Sequence, residues 1–376
     1  MTSKEAFLAL NLLPRIGPIR VRRLLERFER PQAILSAKRN ELVAVPGIGE
    51  EMADQLTDWE NRIDLAEEQR RISDHGISLL TLEDENYPPA LRTIYDPPFL
   101  LYIKGRILPA DRAAIGVVGS RRTTHYGKEQ AKKLSFQLAK AGFCIVSGLA
   151  RGIDTAAHEA ALAAEGRTLA VLGSGIGNVY PPENQALADR ISEHGAVISE
   201  FPVLYVPDKQ SFPLRNRIVA GISRGLLVVE APVRSGSLIT ANQALEQGRT
   251  VFAVPGPIDR PTSEGCHRLI QQGATLVCSA QDIIDELDLE IGFLALDDTP
   301  RARPDSPGKI AEPRREPELS DGERLILTEL MAGDATIDTL ATATGIPAGR
   351  VSATLLQLEL KRLVKQLPGK YFTKQI

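Results

Sequence analysis

Residues 114–122 read AIGVVGSRR and residues 143–154 read FCIVSGLARGID. Each is an apolar run of strand length, closed at or near a glycine, that passes through a short polar and basic turn into a helical pattern. A strand without polar alternation is buried on both faces, as happens when helices cover both sides of a parallel sheet. The pattern recurs along the chain. Strand-like runs occupy 114–119, 143–147, 168–173, 196–199, 225–230, 250–254 and 274–277. Helical patterns fill 127–141, 155–165, 184–194, 216–223, 238–247 and 263–272.

Such alternation with right-handed connections builds an α/β fold, a Rossmann-like, doubly wound, mostly parallel sheet. It accounts for a central domain over 76–287. Residues 1–75 read as short helices punctuated by glycine turns, an all-α unit. Residues 288–319 are rich in Pro and charge after a short apolar start and read as a flexible linker. In 320–376, Ser320 and Glu323 form a capping box for a helix to Leu330, and helical patterns follow at 337–344 and from Pro347 to about 360. Strands at 363–366 and 371–374 then flank Pro368-Gly369. Three helices and a hairpin are the winged-helix plan.

The balance of 43% hydrophobic and 25% charged residues is that of an ordinary globular protein. No run of about 18 apolar residues occurs, and the opening MTSKEAFLAL lacks a signal-peptide plan; a cytoplasmic protein without membrane contact is expected. Cys144, Cys266 and Cys278 have no metal-ligand spacing, so neither a zinc site nor a disulfide framework is expected. Cys144, inside an apolar strand, reads as a small buried hydrophobe.

The net charge of −3 hides segregation. The first forty residues are basic, the next stretch to residue 85 is acidic, and the last thirty are basic again. Local fields rather than net charge govern contact with a polyanion.

In open parallel sheets, ligands bind beyond the carboxyl ends of the strands. Here those loops are rich in Gly, Ser and Arg: Gly119-Ser120-Arg121-Arg122, Gly148 through Arg151 to Gly152, Gly173 to Gly177, and Ser235-Gly236-Ser237. Backbone N–H groups and small hydroxyls at helix N-termini favour an anion. Arg215-Asn216-Arg217 adds guanidinium donors. One glycine loop is a tight turn as often as a site; four on one sheet edge point to a polyanion.

The first βα turn lacks GxGxxG and the second strand has no acidic closure, which argues against a dinucleotide. GxxxxGK[ST] is absent as well. Lys209, Phe212, Arg215 and Arg217 lie within a few residues of each other, and Tyr126, Tyr180, Phe201 and Tyr205 interleave with the basic loops. Cations beside rings suit single-stranded nucleic acid; for each ring the alternative is core packing.

In the first unit, LPRIG (13–17) and VPGIG (45–49) each precede a short helix. The second resembles the helix-hairpin-helix turn, which offers amides to phosphate, though Glu50 and Glu51 would repel one. The first, followed by Arg20, Arg22 and Arg23, is the better candidate; a purely structural turn remains the alternative for both. Asp154 and His158 share a helix face near Ser147, but no GxSxG elbow accompanies them. Asp154 reads as an N-cap for a helix starting at Thr155, with His158 supporting the loop.

With GSRRTTHYG (119–127), SGLARGIDTAAHEAAL (147–162), LAVLGSGIGNVYPPEN (169–184), FPLRNRIVAGIS (212–223), VVEAPVRSGSLITANQALEQGRTVFAVPG (228–256) and GCHRLIQQGA (265–274) in order, the chain resembles the DNA-processing protein A (DprA/Smf) family over nearly its whole length. The resemblance implies a non-enzymatic, cofactor-free homodimer that binds and protects single-stranded DNA and helps load the RecA recombinase in natural transformation. It implies phosphate contacts at Arg121, Arg151, Lys209, Arg215 and Arg217, with Phe212 against a base. His267 and Leu276 would lie at the dimer interface. The N-terminal unit resembles the family's SAM-like, helix-hairpin-helix-derived domain. Gly177 departs from the Asp usual in the family's GLDxxYP block, which puts a loop contact in doubt around 178–181.

The runner-up is an enzyme resembling lysine-decarboxylase-like nucleotide phosphoribohydrolases, which carry PGGxGTxxE where this chain has EAPVRSGSLIT (230–240). A sequence-specific duplex reader is a third reading. The recognition-helix candidate offers Arg350 with Ser352, Thr354 and Gln357, few groups for base readout.

Overall fold

In the computed structural model, residues 1–287, 321–331, 335–360, 363–367 and 371–374 are described, so the expected linker over 288–319 and the turn at 368–369 lie outside them. The apolar runs form parallel strands: β3 (Ala114–Val118), β4 (Cys144–Ser147), β5 (Thr168–Leu172), β6 (Ala196–Ser199), β7 (Gly225–Val228), β8 (Thr250–Ala253) and β9 (Thr275–Leu276). Two strands that the sequence reading did not foresee, β1 (Ser78–Thr81) and β2 (Leu100–Gly105), complete a nine-stranded sheet in the order β1-β2-β6-β5-β4-β3-β7-β8-β9. β2 runs antiparallel to both β1 and β6, and the rest of the sheet is parallel.

Successive side chains of a strand face opposite sides. Ala114 and Val118 of β3 and Leu226 and Val228 of β7 enter one core, while Ile115, Val117 and Leu227 enter the other. The helices that cover these faces are α8 (Pro89–Arg92), α9 (His125–Lys140), α10 (Ile153–Ala163), α11 (Gln185–His194), α12 (Ser211–Ile222), α13 (Gly236–Glu246), α14 (Glu264–Gln271) and α15 (280–287). From β3 the chain winds outward to β6, then returns to place β7 on the other side of β3. That reversal opens a crevice at the carboxyl ends of β3 and β7.

The N-terminal helices are α1 (Ser3–Leu12), α2 (Pro18–Phe28), α3 (Pro31–Leu35), α4 (Arg39–Val43), α5 (Glu50–Thr57), α6 (Trp59–Arg62) and α7 (Leu65–Asp74). They share a core with the sheet: Phe7, Leu8 and Leu10 pack in one cluster with Phe99, Leu100, Tyr102, Leu172 and Val203. Polar ties cross the same junction. The Val203 amide donates to the buried Glu68 carboxylate (2.7 Å), and Asn11 donates to the Glu200 carbonyl (3.1 Å). Packing therefore does not break at residue 75.

The second compact unit has its own core of Ile326, Leu330, Leu340, Val351, Leu355 and Phe372. Its helices are α16 (Asp321–Met331), α17 (Ile337–Thr344) and α18 (Ala348–Leu360). The expected hairpin, β11 (Val364–Leu367) with β12 (Tyr371–Lys374), gains a third strand, β10 (Ala335–Thr336), beside β12. Cys144 and Cys266 are buried, and burial pushes both thiols up.

Leu10 is fully buried where the helices meet the sheet. Leu10→Ala is expected to lower the unfolding free energy by about 2–5 kcal/mol. A urea titration followed by Trp59, which packs against the same cluster, reads the change. An unshifted transition would mean that the helical layer is not anchored through this core.

Candidate nucleic-acid interface

Beyond the carboxyl ends of β3 and β7 lies a groove of about 660 Å³. Gly119, Ser120 and Arg121 line it from the β3 loop, and Ser235, Gly236 and Ser237 from the start of α13. Lys209, Phe212, Arg215 and Asn216 line it from α12 and the turn before it. Gly148 and Arg151 line an adjoining hollow that shares Arg121, Phe212 and Arg215 and adds Tyr180. Most of the residues expected from sequence thus meet in one place.

The reason lies in α12. Its first turn is tied down by Asp208, whose Oδ1 accepts from the Gln210 and Ser211 amides at 2.7 Å. Pro213 falls in that first turn, where a missing N–H costs nothing. The helix therefore begins at Ser211 rather than at 216. Residues three and four apart share a helix face, so Phe212, Arg215 and Asn216 turn together toward the groove.

Arg217, two residues beyond Arg215, turns away. It is buried, with Nη2 2.6 Å from both Glu200 carboxylate oxygens and Nε 3.1 Å from Asp96. Its charge is engaged within the chain, so the expectation that it meets phosphate is corrected. Arg215 is buried as well, and its Nη1 donates to the carbonyls of Gly148 and Val171. Burial pulls its pKa down to about 10. It touches the groove from beneath as a brace between β4 and β5.

The loops are braced too. Asp154 is not the N-cap of α10; Gly152 is, and the Asp154 carboxylate accepts from the Gly148 and Ala150 amides at 3.1 and 3.3 Å. Burial raises the Asp154 pKa against the pull of Arg215. A Cβ at 148 would overlap the Arg215 guanidinium, so glycine there serves close packing. Gly152, at φ +83°, lies against the Ser120 carbonyl and locks the first two loops together.

In the third loop two of the expected amides are already engaged. Its Gly175 and Gly177 amides donate to the carbonyls of Tyr205 and Val203 at 3.0 and 2.8 Å.

Arg121, Arg122, Lys209 and Arg234 are exposed and have no carboxylate partner among the described residues. Arg122 and Arg234, outside the sequence-derived set, line the groove; their signal was proximity to two glycine–serine loops. The Arg121 guanidinium lies 4.8 Å from the Phe212 ring centre, and Tyr180 meets the same ring at 5.8 Å. Arg151 is exposed but pairs with Glu183 (3.0 Å). Glu230, two residues past β7, was also missed: its carboxylate accepts from the Thr124 amide (2.9 Å) and the Thr123 hydroxyl, holding the first loop.

Elsewhere the expected candidates are engaged. In the first glycine turn, Arg20 donates to the Arg15 carbonyl (2.7 Å), Arg23 to Pro46 (3.0 Å) and Arg22 to Tyr95 (2.8 Å). His267 contacts the Gly256 carbonyl at 2.9 Å, and Leu276 is exposed on the edge strand β9. Among the described residues no metal-binding cluster occurs, and no helix is long and apolar enough to cross a membrane.

The profile of the family described as DNA recombination-mediator protein A matches residues 78–288. The chain belongs to the DprA/Smf family. The profiles of a SAM-like helix-hairpin-helix tandem and the DprA winged helix match residues 7–58 and 310–370. Protein Smf of Synechocystis is 36% identical over 98% of each chain. The crystal structure of DNA processing protein A from Streptococcus pneumoniae superposes with a TM-score of 0.68 at 37% identity, covering 76% of this chain and 98% of that one. The Helicobacter pylori DNA processing protein A, whose structure was described for its single-stranded DNA binding mode, gives 0.52 at 31% identity, covering 58% and 98%. The Rossmann-like sheet, the helix-hairpin-helix unit and the winged helix are thus the family's parts.

His158 sits beneath this DprA-type edge. It is fully buried, with Nδ1 2.7 Å from the Thr168 hydroxyl and Nε2 without a partner. Burial, and then the charge of Arg215, depress its pKa to about 3. A histidine depressed in the folded state stabilises fully above its unfolded pKa of about 6.5, and that stability is lost as pH falls toward the folded value. Between pH 7 and pH 5 the chain is expected to lose about 2 kcal/mol through this residue. Denaturant titrations at both pH values check it: His158→Gln should flatten the dependence, and an equally steep loss in that variant would assign it elsewhere.

Proposed function

We propose that the carboxyl edge of the sheet holds single-stranded DNA, with cations on the backbone and a ring against a base, and performs no chemistry on it. The observation that carries this reading is the Arg121–Phe212 pair at the groove, flanked by Arg122, Lys209 and Arg234. Guanidinium beside ring serves a strand of any sequence, because every base has a face to stack. The Helicobacter pylori relative, studied for single-stranded DNA binding, supports carrying that ligand class to this chain.

The family's description as a recombination mediator supports a second step, handing the strand to a RecA recombinase in the cytoplasm during DNA uptake. A homodimer through the outer sheet edge fits the exposure of Leu276 and Ile258, with His267 close behind. The phosphoribohydrolase alternative gains little support. Asp154 is bound to loop amides, His158 to Thr168, Ser147 to the Val117 carbonyl, and Glu230 to the first loop.

Fluorescence anisotropy with labelled oligo-dT tests the site. Arg121→Ala with Lys209→Ala should weaken binding about tenfold or more and reduce the salt slope by about 0.7 for each phosphate no longer neutralised. Phe212→Ala should cost about 1–3 kcal/mol with the slope unchanged. Glu183→Gln, which releases Arg151, should tighten binding. A folded Arg121/Lys209 double variant that binds like the parent chain would sink the site. Arg217→Ala is unsuitable, since it would strand Glu200 in the interior.

A further inference from the structure

Three arginines stand just ahead of three adjacent strands: Arg112 before β3, Arg224 before β7 and Arg249 before β8. Parallel strands bring such residues to one edge, here the amino edge, opposite the groove. The three line a cavity of about 440 Å³ with a largely apolar floor that includes Pro88, Pro89, Ile107, Leu108, Ile222 and Leu287.

The charges there are unbalanced. Arg112 and Arg224 are exposed, and their side chains make no hydrogen bond or ion pair with any described residue. Arg249 donates through Nη2 to the carbonyls of Ala90 (2.8 Å) and Gly221 (3.3 Å), yet its Nε is buried without a partner. Burial lowers the Arg249 pKa. On the acidic side, Asp111 is already held by Arg167 (2.8 Å), which leaves exposed Glu85 as the unpaired carboxylate of the wall. The equivalent arginine ahead of β5, Arg167, shows what a satisfied position looks like: both of its forks are used.

A desolvated donor without a partner is a cost that an anion would relieve. Guanidinium forks match carboxylate and phosphate oxygens, and the volume is that of a small-molecule site. We propose that this cavity binds a small organic anion, a carboxylate or phosphate head on an aromatic or branched apolar body. The head sits among Arg112, Arg224 and Arg249, and the body lies on the proline–isoleucine floor. Such a ligand touches α8, the starts of β7 and β8 and the end of α15, and so ties together elements from both faces of the sheet. The proposal does not depend on the reading of the opposite edge.

The test uses the full chain and 8-anilinonaphthalene-1-sulfonate as an aromatic anion probe. Saturable fluorescence enhancement is expected, with a Kd that rises at least tenfold in Arg112→Ala/Arg224→Ala and falls in Glu85→Gln. The uncharged analogue N-phenyl-1-naphthylamine should bind at least tenfold more weakly than the sulfonate. Displacement by 1-naphthoate or by 1-naphthyl phosphate identifies the preferred head group; displacement by neither overturns the proposal. It is also overturned if the double variant binds the dye unchanged, or if the uncharged dye binds equally well. Should the double variant lose oligo-dT affinity as steeply as dye affinity, the arginines belong to a nucleic-acid contact instead. Arg224→Ala and Glu85→Gln alone, both at exposed positions, keep the test informative if the double variant fails to fold.

Discussion

The carboxyl edge of the sheet depends on a buried guanidinium. Arg215 reaches from α12 beneath the crevice and bonds the carbonyls of Gly148, just past β4, and Val171 of β5, while Asp154 lies close enough to offset its charge. Asp154 in turn binds two amides of the loop after β4. Burial works against both ions, lowering the pKa of Arg215 and raising that of Asp154. Neither could be lost alone without leaving the other uncompensated in the interior. The pair therefore fixes the spacing of the loops over which a ligand would lie.

This bracing divides the arginines into two kinds. Arg215 and Arg217 hold the fold, while Arg121, Arg122 and Arg234 face solvent around the groove. Residue type does not separate them; helical phase and burial do. The same division explains the glycines. Gly148 makes room for Arg215, Gly152 takes a left-handed turn against Ser120, and Gly175 and Gly177 bond the 203–205 segment. Small residues on this edge let backbones and a buried cation approach, while Arg121, Arg122, Lys209 and Arg234 reach the groove as long side chains.

The parallel strands were legible because both their faces are buried, so each appears as an unbroken apolar run whose limits fall within two residues of the observed ones. β2 was missed for a physical reason: LLYIKG follows a stretch of turn-forming prolines and pairs antiparallel with β6, so no strand–helix rhythm announces it. The groove was legible as a set of loops because topology forces loops after parallel strands to one edge. Which residue of each loop faces outward was not, since that depends on where α12 starts. The helical pattern read from sequence begins at 216, which leaves Phe212 and Arg215 in the loop before it, whereas the helix begins at Ser211. Counted from Ser211, Arg215 and Arg217 fall on different faces of one helix. The docking of the N-terminal helices was also hidden, because it runs through tertiary partners such as Glu68 with Val203.

That docking bears on the groove through a single residue. The Glu200 backbone carbonyl accepts from Asn11 of α1, and its carboxylate grips Arg217 of α12. Arg217 also faces Asp96, in the connection leading to β2. The far side of α12 is thus pinned to the N-terminal layer and to the antiparallel edge, while its near side presents Phe212. Rotation of α12 about its axis would move Arg217 away from both carboxylates as it moved the ring. The helical layer thus bears on the groove even with its own arginines engaged: through Glu200 it helps fix the phase of the helix that carries Phe212.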